Sequence, residues 1–259
     1  MELGRSAGHI VCQSLQWVIG EYEVNTSTLL PCSADRRKYA PGIGAIEGGE
    51  TMSHTRVPWQ HGGWTTPPVS TAVDGNNLHV EAAGESDFWM KTLYGFQHAN
   101  GHALLAAWPA DIAVEVSFSL SGFTELYDQA GLMLWNGPAN WIKAGVEMND
   151  GVPHLASVVT DGYSDWSLTP VPEWMGQIVT MRASRLNDAV ILRAHVAGGP
   201  WRTMRVAPFG RHSGSGSGSM LAQAGPYVCA PTRAGFRVTF TAWVHADEDT
   251  DLHTDPPSP

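Results

Sequence analysis

The sequence predicts an all-β protein, a sandwich of two antiparallel sheets, and three observations support this prediction. Apolar and β-branched runs of about five to eleven residues follow one another between residues 59 and 245. Turn pairs such as Asp74-Gly75 and Asp161-Gly162 separate nearly all of these runs. No long stretch repeats its apolar residues with the 3.6-residue period of a helix. Short strands that alternate with turns in this way are typical of a sandwich.

The composition is that of a globular protein with one large core. The chain has 259 residues, of which 43% are hydrophobic and 15% charged, and this length is normal for a single all-β domain. The formal net charge is −10, but half of it comes from Asp247, Glu248, Asp249, Asp251 and Asp255, in a stretch without Lys or Arg. Because no basic stripe is present, we expect neither nucleic acid nor membrane as a partner.

Cysteine usage and the N-terminal residues predict a cytoplasmic protein. Cys12, Cys32 and Cys229 are too few and too scattered for a disulfide framework. Residues 1–24 lack the uninterrupted apolar segment of a secretory signal. No run has the length that a bilayer crossing needs. We therefore expect reduced thiols in a cytoplasmic protein, and the sequence leaves its oligomeric state open.

Composition changes along the chain indicate three regions. Residues 1–51 do not share the strand pattern, and we interpret them as an extension that is disordered or not part of the native protein. The domain is expected to occupy residues 52–245, with a flexible loop at the Ser- and Gly-rich run 212–220. Residues 246–259, rich in Asp and Pro, are expected to form an acidic disordered tail.

Eleven strands are predicted within the domain, and a turn signal precedes most of them. Asn100-Gly101, Asp150-Gly151 and Asn187-Asp188 each end one apolar run and begin the next. The predicted strands are 78–82, 88–96, 102–108, 112–120, 127–135, 141–148, 154–160, 177–186, 189–197, 203–209 and 235–245.

The two central strands, 127–135 and 141–148, carry unusual residues on the face that should point away from the core. Their even positions are apolar, as a core face requires. Their odd positions are Tyr127, Gln129, Gly131, Met133, Trp135, Trp141, Lys143, Gly145 and Glu147. If residues 136–140 close a hairpin, Trp135 lies opposite Trp141, and Gly131 lies opposite Gly145. Two facing glycines would leave a trench, so this face is predicted to bind a ligand.

The following strand extends the predicted trench. A loop at residues 149–153 would place Met148 opposite His154, and Ser157 would then lie beside Gly145 on the trench floor. Gln129 and Glu147 would lie toward one end and Lys143 toward the other. Lys143 and Glu147 are roughly 13 Å apart along the strand, so each needs another partner, a water molecule or a ligand. An ordinary solvated sheet face would also show this pattern.

Two further segments supply aromatic candidates. In residues 88–96, alternation puts Trp89 and Lys91 on one face, next to Asp87, where an indole could stack on a sugar and an ammonium could donate to it. In the motif SDWS, Asp165 and Trp166 have similar chemistry. Trp89 and Trp166 could equally fill the core, and Asp165 could simply hold a turn.

Five motifs, in this order and at suitable spacing, carry a family resemblance: SDFWMKTLYGF, YDQAGLMLW, WIKAGVE followed by DG, HLASVVT, and SDWS. Over residues 59–245 the chain resembles a family of uncharacterised bacterial and fungal proteins that includes the yeast regulation of enolase protein. The resemblance implies a single concanavalin A-like jelly roll whose concave sheet offers a groove. It implies no chemistry, because the family has no established activity.

Three functions stay open at this point. The leading one is binding of a carbohydrate or similar polyhydroxylated small molecule through Trp89, Lys91, Gln129, Trp141, Ser157, Asp165 and Trp166. The second is an enzyme on a small organic substrate, a glycosidase or a non-hydrolytic isomerase or cyclase, with Glu147 as acid or base, Lys143 stabilising negative charge and Glu115 as second carboxylate. The third is a regulatory protein-interaction module.

No cofactor or metal is expected. His98 and His102 flank a hairpin turn and lack a third ligand. The acid spacing of concanavalin A-like glucanases, Glu-x-Asp-x-x-Glu, is also missing from the sequence, so hydrolysis has weak support.

Overall fold

The computed structural model describes residues 54–209 and 222–256, and in this part of the chain seventeen β-strands and two single-turn 3₁₀ helices are present. The helical turns are Trp59–His61 and Pro172–Trp174. The strands are β1 Thr55–Arg56, β2 Gly63–Trp64, β3 Ser70–Asp74, β4 Asn77–Glu81, β5 Phe88–Met90, β6 Gln97–Ala99, β7 His102–Ala107, β8 Ile112–Ser119, β9 Gln129–Trp135, β10 Asn140–Asn149, β11 Val152–Asp161, β12 Ser164–Pro170, β13 Ile178–Leu186, β14 Ala189–Val196, β15 Arg202–Pro208, β16 Gln223–Cys229 and β17 Arg237–Asp247.

Two antiparallel sheets form the sandwich. The eight-stranded sheet has the order β15-β14-β13-β8-β17-β4-β3, with β1 also paired to β17. The seven-stranded sheet has the order β12-β11-β10-β9-β16-β7-β2, and β5 and β6 form a separate hairpin. This architecture confirms the predicted all-β jelly-roll sandwich.

The core lies between the inner faces of the two sheets. Phe118, Phe240 and Trp243 reach it from the eight-stranded sheet, and Leu132 and Val146 reach it from the seven-stranded sheet. All five side chains are fully buried, and burial of each stabilises the fold by about 1.5–3 kcal/mol. The apolar even positions of β9 and β10 face inward, as the alternation predicted. Their odd positions consequently face outward, away from the other sheet.

The register of β9 with β10 is confirmed. Trp141 pairs with Trp135, Gly145 with Gly131 and Glu147 with Gln129. The two glycines are sterically required, because a Cβ at Gly131 would overlap the Ala144 carbonyl oxygen and a Cβ at Gly145 would overlap the Ala130 carbonyl oxygen.

The predicted register of β11 was wrong by one residue. Asp150 and Gly151 both have positive φ, at 50° and 77°, so they form a tight two-residue turn and β11 already begins at Val152. Glu147 therefore pairs with His154, and Ala144 pairs with Ser157. A shift of one residue moves every side chain to the opposite face. Ser157 consequently lies on the inner face.

The segment 88–96 is not one strand. β5 ends at Met90, and the chain turns through Lys91 and Leu93, whose φ values are 60° and 65°. The amide of Lys91 donates to the Phe96 carbonyl oxygen, and the chain returns as β6. The strand period therefore stops at Met90, and the predicted face that Trp89 and Lys91 were to share does not exist.

Residues 246–256 do not form the disordered tail that the sequence predicted. Residues 246–247 complete β17, and Asp249 is only 6% exposed. Asp249 Oδ1 accepts hydrogen bonds from Arg182 Nε at 3.0 Å and Nη2 at 2.6 Å, and its Oδ2 accepts one from Arg193 Nε at 3.2 Å. Asp249 therefore compensates the charges of two buried arginines on the outer face of the eight-stranded sheet.

Several expectations concern residues outside the described part of the chain. The N-terminal region 1–51, with Cys12 and Cys32, and the run 212–220 lie there. Cys229 is buried, and within the described residues it has no disulfide partner. None of the helices in this part has the length and apolar character needed to cross a membrane.

We predict that Gly145→Ala lowers the free energy of unfolding by about 1–3 kcal/mol, because the new methyl group has no room beside β9. Urea denaturation measures the change. Gly63→Ala is the control, since no atom lies within 4 Å of a Cβ at that exposed position in β2. Equal stability of the two variants would contradict the steric requirement.

We also predict that Asp249→Asn costs about 3–5 kcal/mol of folding free energy, because it leaves buried guanidinium groups without their carboxylate. Thermal and urea unfolding test this prediction. The neighbouring exposed residue provides the matched control, Glu248→Gln, which should leave stability unchanged. If Asp249→Asn unfolds like this control, the tail does not stabilise the sheet.

Candidate functional site

A cavity of about 370 Å³ opens on the outer face of the seven-stranded sheet. Its floor comes from β9, β10 and β11, and the β5–β6 hairpin and β12 supply walls. The lining residues are Glu85, Asp87, Trp89, Tyr94, Phe96, His98, Tyr127, Gln129, Lys143, Glu147, Val158, Trp166 and Pro231.

A second apolar cluster seals one side of this floor. Phe88 from β5 packs on Trp141 from β10, with ring centroids 5.8 Å apart, and Met133 and Tyr227 belong to the same cluster. The β5–β6 hairpin thus covers part of the outer face. The polar residues of the floor, Gln129, Lys143 and Glu147, are only 2%, 3% and 4% exposed.

The positive charge of Lys143 is compensated by a carboxylate inside the protein. Its Nζ donates to Asp87 Oδ1 at 2.7 Å and to Gln129 Oε1 at 2.8 Å, and the residue is 3% exposed. Burial alone would lower the pKa of Lys143, but the charge and hydrogen bond of Asp87 outweigh it and the pKa is raised. Lys143 is therefore a fixed ammonium group.

The glycine pair determines where this ammonium lies. Lys143 and Glu147 are four residues apart, and Gly145 is between them on the same face of β10. Yet Lys143 Nζ reaches the amide of Gln129, whose Cα pairs with Glu147. The lysine side chain must therefore extend along the strand past Gly145. The prediction that Lys143 would act at the far end of the trench from Gln129 was thus wrong.

Glu147 is the unpaired charge of the floor. The residue is 4% exposed and lines the cavity, and no hydrogen-bond or ion-pair partner for its carboxylate occurs in residues 54–209 or 222–256. Burial raises the pKa of Glu147 to about 7; the charge of Lys143 opposes this shift and that of Asp87 adds to it. Glu147 therefore exchanges its proton near neutral pH.

Aromatic rings form the walls. Trp89 and Trp166 meet edge to face, with centroids 6.4 Å apart and an interplanar angle of 89°. Tyr94 stacks on Phe96 at 5.1 Å and is 57% exposed, so these two rings stand at the mouth. Tyr127 completes the enclosure. Burial raises its pKa, and the nearby Tyr94 and Glu147 add to that shift.

Of the residues predicted for the site, five line the cavity together: Trp89, Gln129, Lys143, Glu147 and Trp166.

Five others lie elsewhere. Trp141 is 2% exposed and packs in the apolar cluster, with its Nε1 donating to the Pro138 carbonyl oxygen at 3.2 Å. Lys91 lies over the Tyr163 ring, 5.4 Å from its centroid. Asp165 forms an ion pair with Arg205 at 2.6 Å.

The remaining two lie outside the cavity because of the register of β11 in one case and the sheet topology in the other. Ser157 faces inward and shares a hydrogen bond of 2.9 Å with Ser167. Glu115 belongs to the other sheet, where it pairs with Arg182 at 2.7 Å. It therefore cannot act as the second carboxylate beside Glu147, and a pair of these two acids is ruled out.

Asp87 is the main site residue that the predicted ligand set omitted. It follows Ser86 just before β5 and brings its carboxylate to Lys143 from 56 positions away in the chain. Its position two residues before Trp89 in the motif SDFW was the available signal. For Pro231 and Glu85, which also line the cavity, the sequence contained no such signal. In the described part of the chain no group of three His, Cys, Asp or Glu residues is arranged to hold a metal ion.

Comparison with known sequences identifies relatives over most of the chain. The family described as "Protein of unknown function (DUF1349)" matches residues 64–247. Regulation of enolase protein 1 from Saccharomyces cerevisiae is 33% identical over 186 residues, which are 70% of this chain and 87% of the yeast protein. An uncharacterised protein from Emericella nidulans is 35% identical over 99 residues, which are 36% of this chain and 48% of that protein.

Solved structures show the same fold. A functionally unknown protein from Saccharomyces cerevisiae superposes with a TM-score of 0.65 and 28% identity, covering 78% of this chain and all of that one. A xylan β-1,4-xylosidase from Bacillus halodurans gives 0.55 at 13% identity, over 80% of this chain and 41% of that one, a likeness of fold alone. The family match spans more than half of the sequence, and the chain therefore belongs to the DUF1349 family, as its motifs predicted.

Proposed function

We propose that the protein binds a carbohydrate or a similar polyhydroxylated small molecule in the cavity above β9, β10 and β11. The observation that carries the proposal is the combination of aromatic walls with a floor of buried hydrogen-bonding groups. A volume of about 370 Å³ is in the range of small-molecule pockets. Ligand pockets typically combine aromatic lining with a few fixed polar groups in this way.

The walls offer apolar faces to a sugar ring. Carbohydrates have apolar C–H faces as well as hydroxyl groups, so they bind to the flat faces of indole and phenol rings. Trp166 is 38% exposed, and its ring stands against the edge of Trp89. Trp89 is held in place because its Nε1 donates to the Thr92 carbonyl oxygen at 3.0 Å. The Trp89 ring is thus fixed before a ligand arrives, which lowers the entropy cost of binding.

The floor keeps hydrogen-bonding capacity for hydroxyl groups. An ammonium has three donors, and Lys143 uses two of them, on Asp87 and Gln129. Gln129 Nε2 lies 3.5 Å from Asp87 Oδ1, a contact at the outer limit of hydrogen-bond distance, so this amide can still donate to a ligand. Glu147 adds two acceptor oxygens. Donors and acceptors side by side suit hydroxyl groups, which both donate and accept.

We expect Trp166→Ala to weaken binding of a cognate sugar about fivefold to tenfold, because the ligand loses one stacking surface. Calorimetric titration with a panel of mono- and disaccharides identifies the ligand and measures the loss. Tyr163→Ala is the control, since Tyr163 is 64% exposed nearby but does not line the cavity. A panel without a binder, or equal affinities in both variants, would contradict the proposal.

One observation favours a second function, acid–base catalysis on the bound molecule. Glu147 has a pKa of about 7, raised by burial, and perturbed carboxyl groups in cavities are typical of general acids and bases. Lys143 could stabilise negative charge that develops on the substrate. The yeast relative is named for regulation of enolase, a role that a ligand-binding protein without turnover would also fit.

If the protein is an enzyme, Glu147→Gln should lower kcat about 10²- to 10⁴-fold while the substrate still binds. A general base must be ionised, so kcat should rise with pH through about 7; a general acid would give the opposite slope. The assay follows each sugar that binds in the titration by NMR for chemical change. Binding without any conversion by the unaltered protein would leave recognition as the function.

A further inference from the structure

The cavity contains one buried charge that has no partner in the described part of the chain. Lys143 meets Asp87 at 2.7 Å, so these two charges compensate each other. Glu147 has no such partner in residues 54–209 or 222–256, although it is 4% exposed and directed into the cavity. A buried, unpaired carboxylate is costly. The fold retains this cost at the floor of an open cavity, where a ligand can remove it.

We propose that the ligand carries an ammonium group that pairs with Glu147, and that the cavity therefore takes an amino sugar. This inference rests on the proposed function and specifies its ligand class. It extends the role of Glu147 from one acceptor among several to the residue that selects the ligand's charge. The ammonium group would do for Glu147 what Lys143 does for Asp87.

The walls favour the same charge. Aromatic faces carry negative electrostatic potential and attract cations within about 6 Å of the ring centroid. Trp89, Tyr94, Phe96, Tyr127 and Trp166 supply five such rings around one cavity. Rings of this kind next to a carboxylate attract an ammonium group more strongly than a hydroxyl group.

The balance of charge disfavours acidic sugars. Three acids line the cavity against one lysine, which gives 1 − 3 = −2 with His98 neutral. The groups around Glu147 from neighbouring elements are Asp87, Tyr94, Tyr127, Gln129, Lys143, His154, Tyr227 and Cys229, with Glu85 and His98 further along the cavity wall. Among them Lys143 is the permanent cation, and Asp87 already holds it.

Three sugars with one carbon skeleton test the inference: D-glucosamine, N-acetyl-D-glucosamine and D-glucose. Titrations at pH 7 should give at least tenfold tighter binding of glucosamine than of the N-acetyl form, since a hydrogen bond to a charged group is worth that factor or more. Equal affinities would overturn the ammonium inference and leave sugar binding intact. No binding of any of the three by a protein that binds another neutral sugar would also overturn it. A protein that binds no sugar at all would overturn both proposals.

Glu147→Gln should bring the affinity ratio of glucosamine to N-acetylglucosamine close to one, because the amide keeps the shape and removes the charge. Glu125→Gln is the control for loss of an acid, since Glu125 is exposed and does not line the cavity. In this control the preference for glucosamine should persist. A preference that survives in Glu147→Gln would show that another group selects the amine.

The unaltered protein gives an independent test that does not depend on the folding of a variant. Between pH 5.5 and 7 an amine of this kind keeps its proton, while the ionised fraction of Glu147 increases. Glucosamine affinity should therefore rise roughly tenfold over this range, and N-acetylglucosamine affinity should stay level. Histidines also change charge here, and His98 and His154 both lie near Glu147, so the rise must persist in His98→Gln and in His154→Gln. A level glucosamine affinity, or a rise that disappears in either histidine variant, would overturn the inference.

Discussion

The close approach of β9 and β10 at Gly131 and Gly145 is the constraint on which the site depends. With no side chain at either position, the two backbones approach closely and the outer face between Lys143 and Glu147 stays open. The lysine can then extend along the strand and reach Gln129 and, through it, the end where Glu147 lies. A larger residue at either glycine would separate the strands and block this path. One steric requirement thus opens the path by which the ammonium group of Lys143 reaches the end of the floor where Glu147 lies.

The strands and their faces could be predicted from the sequence, because alternation along a strand is a local property. The same local reasoning predicted the pairing of β9 with β10 correctly, yet it misplaced Ser157 by one residue. That error came from two positive-φ residues, Asp150 and Gly151, which shorten the turn. The lysine's partner could not be deduced, since Asp87 is 56 positions away and reaches it from a separate hairpin. Trp141 was assigned to the correct face of the sheet, but the sequence did not show that the β5–β6 hairpin covers this part of the face.

The two sheets differ in how completely the buried charges on their outer faces are compensated. On the eight-stranded sheet, Arg182 and Arg193 are compensated by Asp249 from the chain itself. On the seven-stranded sheet, Lys143 is paired with Asp87, but Glu147 has no partner among the residues that the structure describes. The first face is closed by a segment of the protein, and the second is open to the surroundings. Charge balance within the fold thus stabilises the outer face of the eight-stranded sheet, whereas the outer face of the seven-stranded sheet keeps an open cavity.

The place of β17 in the eight-stranded sheet has a consequence for how the protein is made. This strand lies between β8 and β4, so the last of the seventeen described strands to be synthesised is an internal strand of the sheet. Until it emerges, β4 and β8 have unpaired edges, and edges of that kind pair readily with other chains. The buried arginines also lack this compensating carboxylate until Asp249, 67 residues after Arg182, has been synthesised. The sheet and its ion pairs can therefore be complete only after residues 237–249 have been synthesised, and until then the unpaired edges favour aggregation.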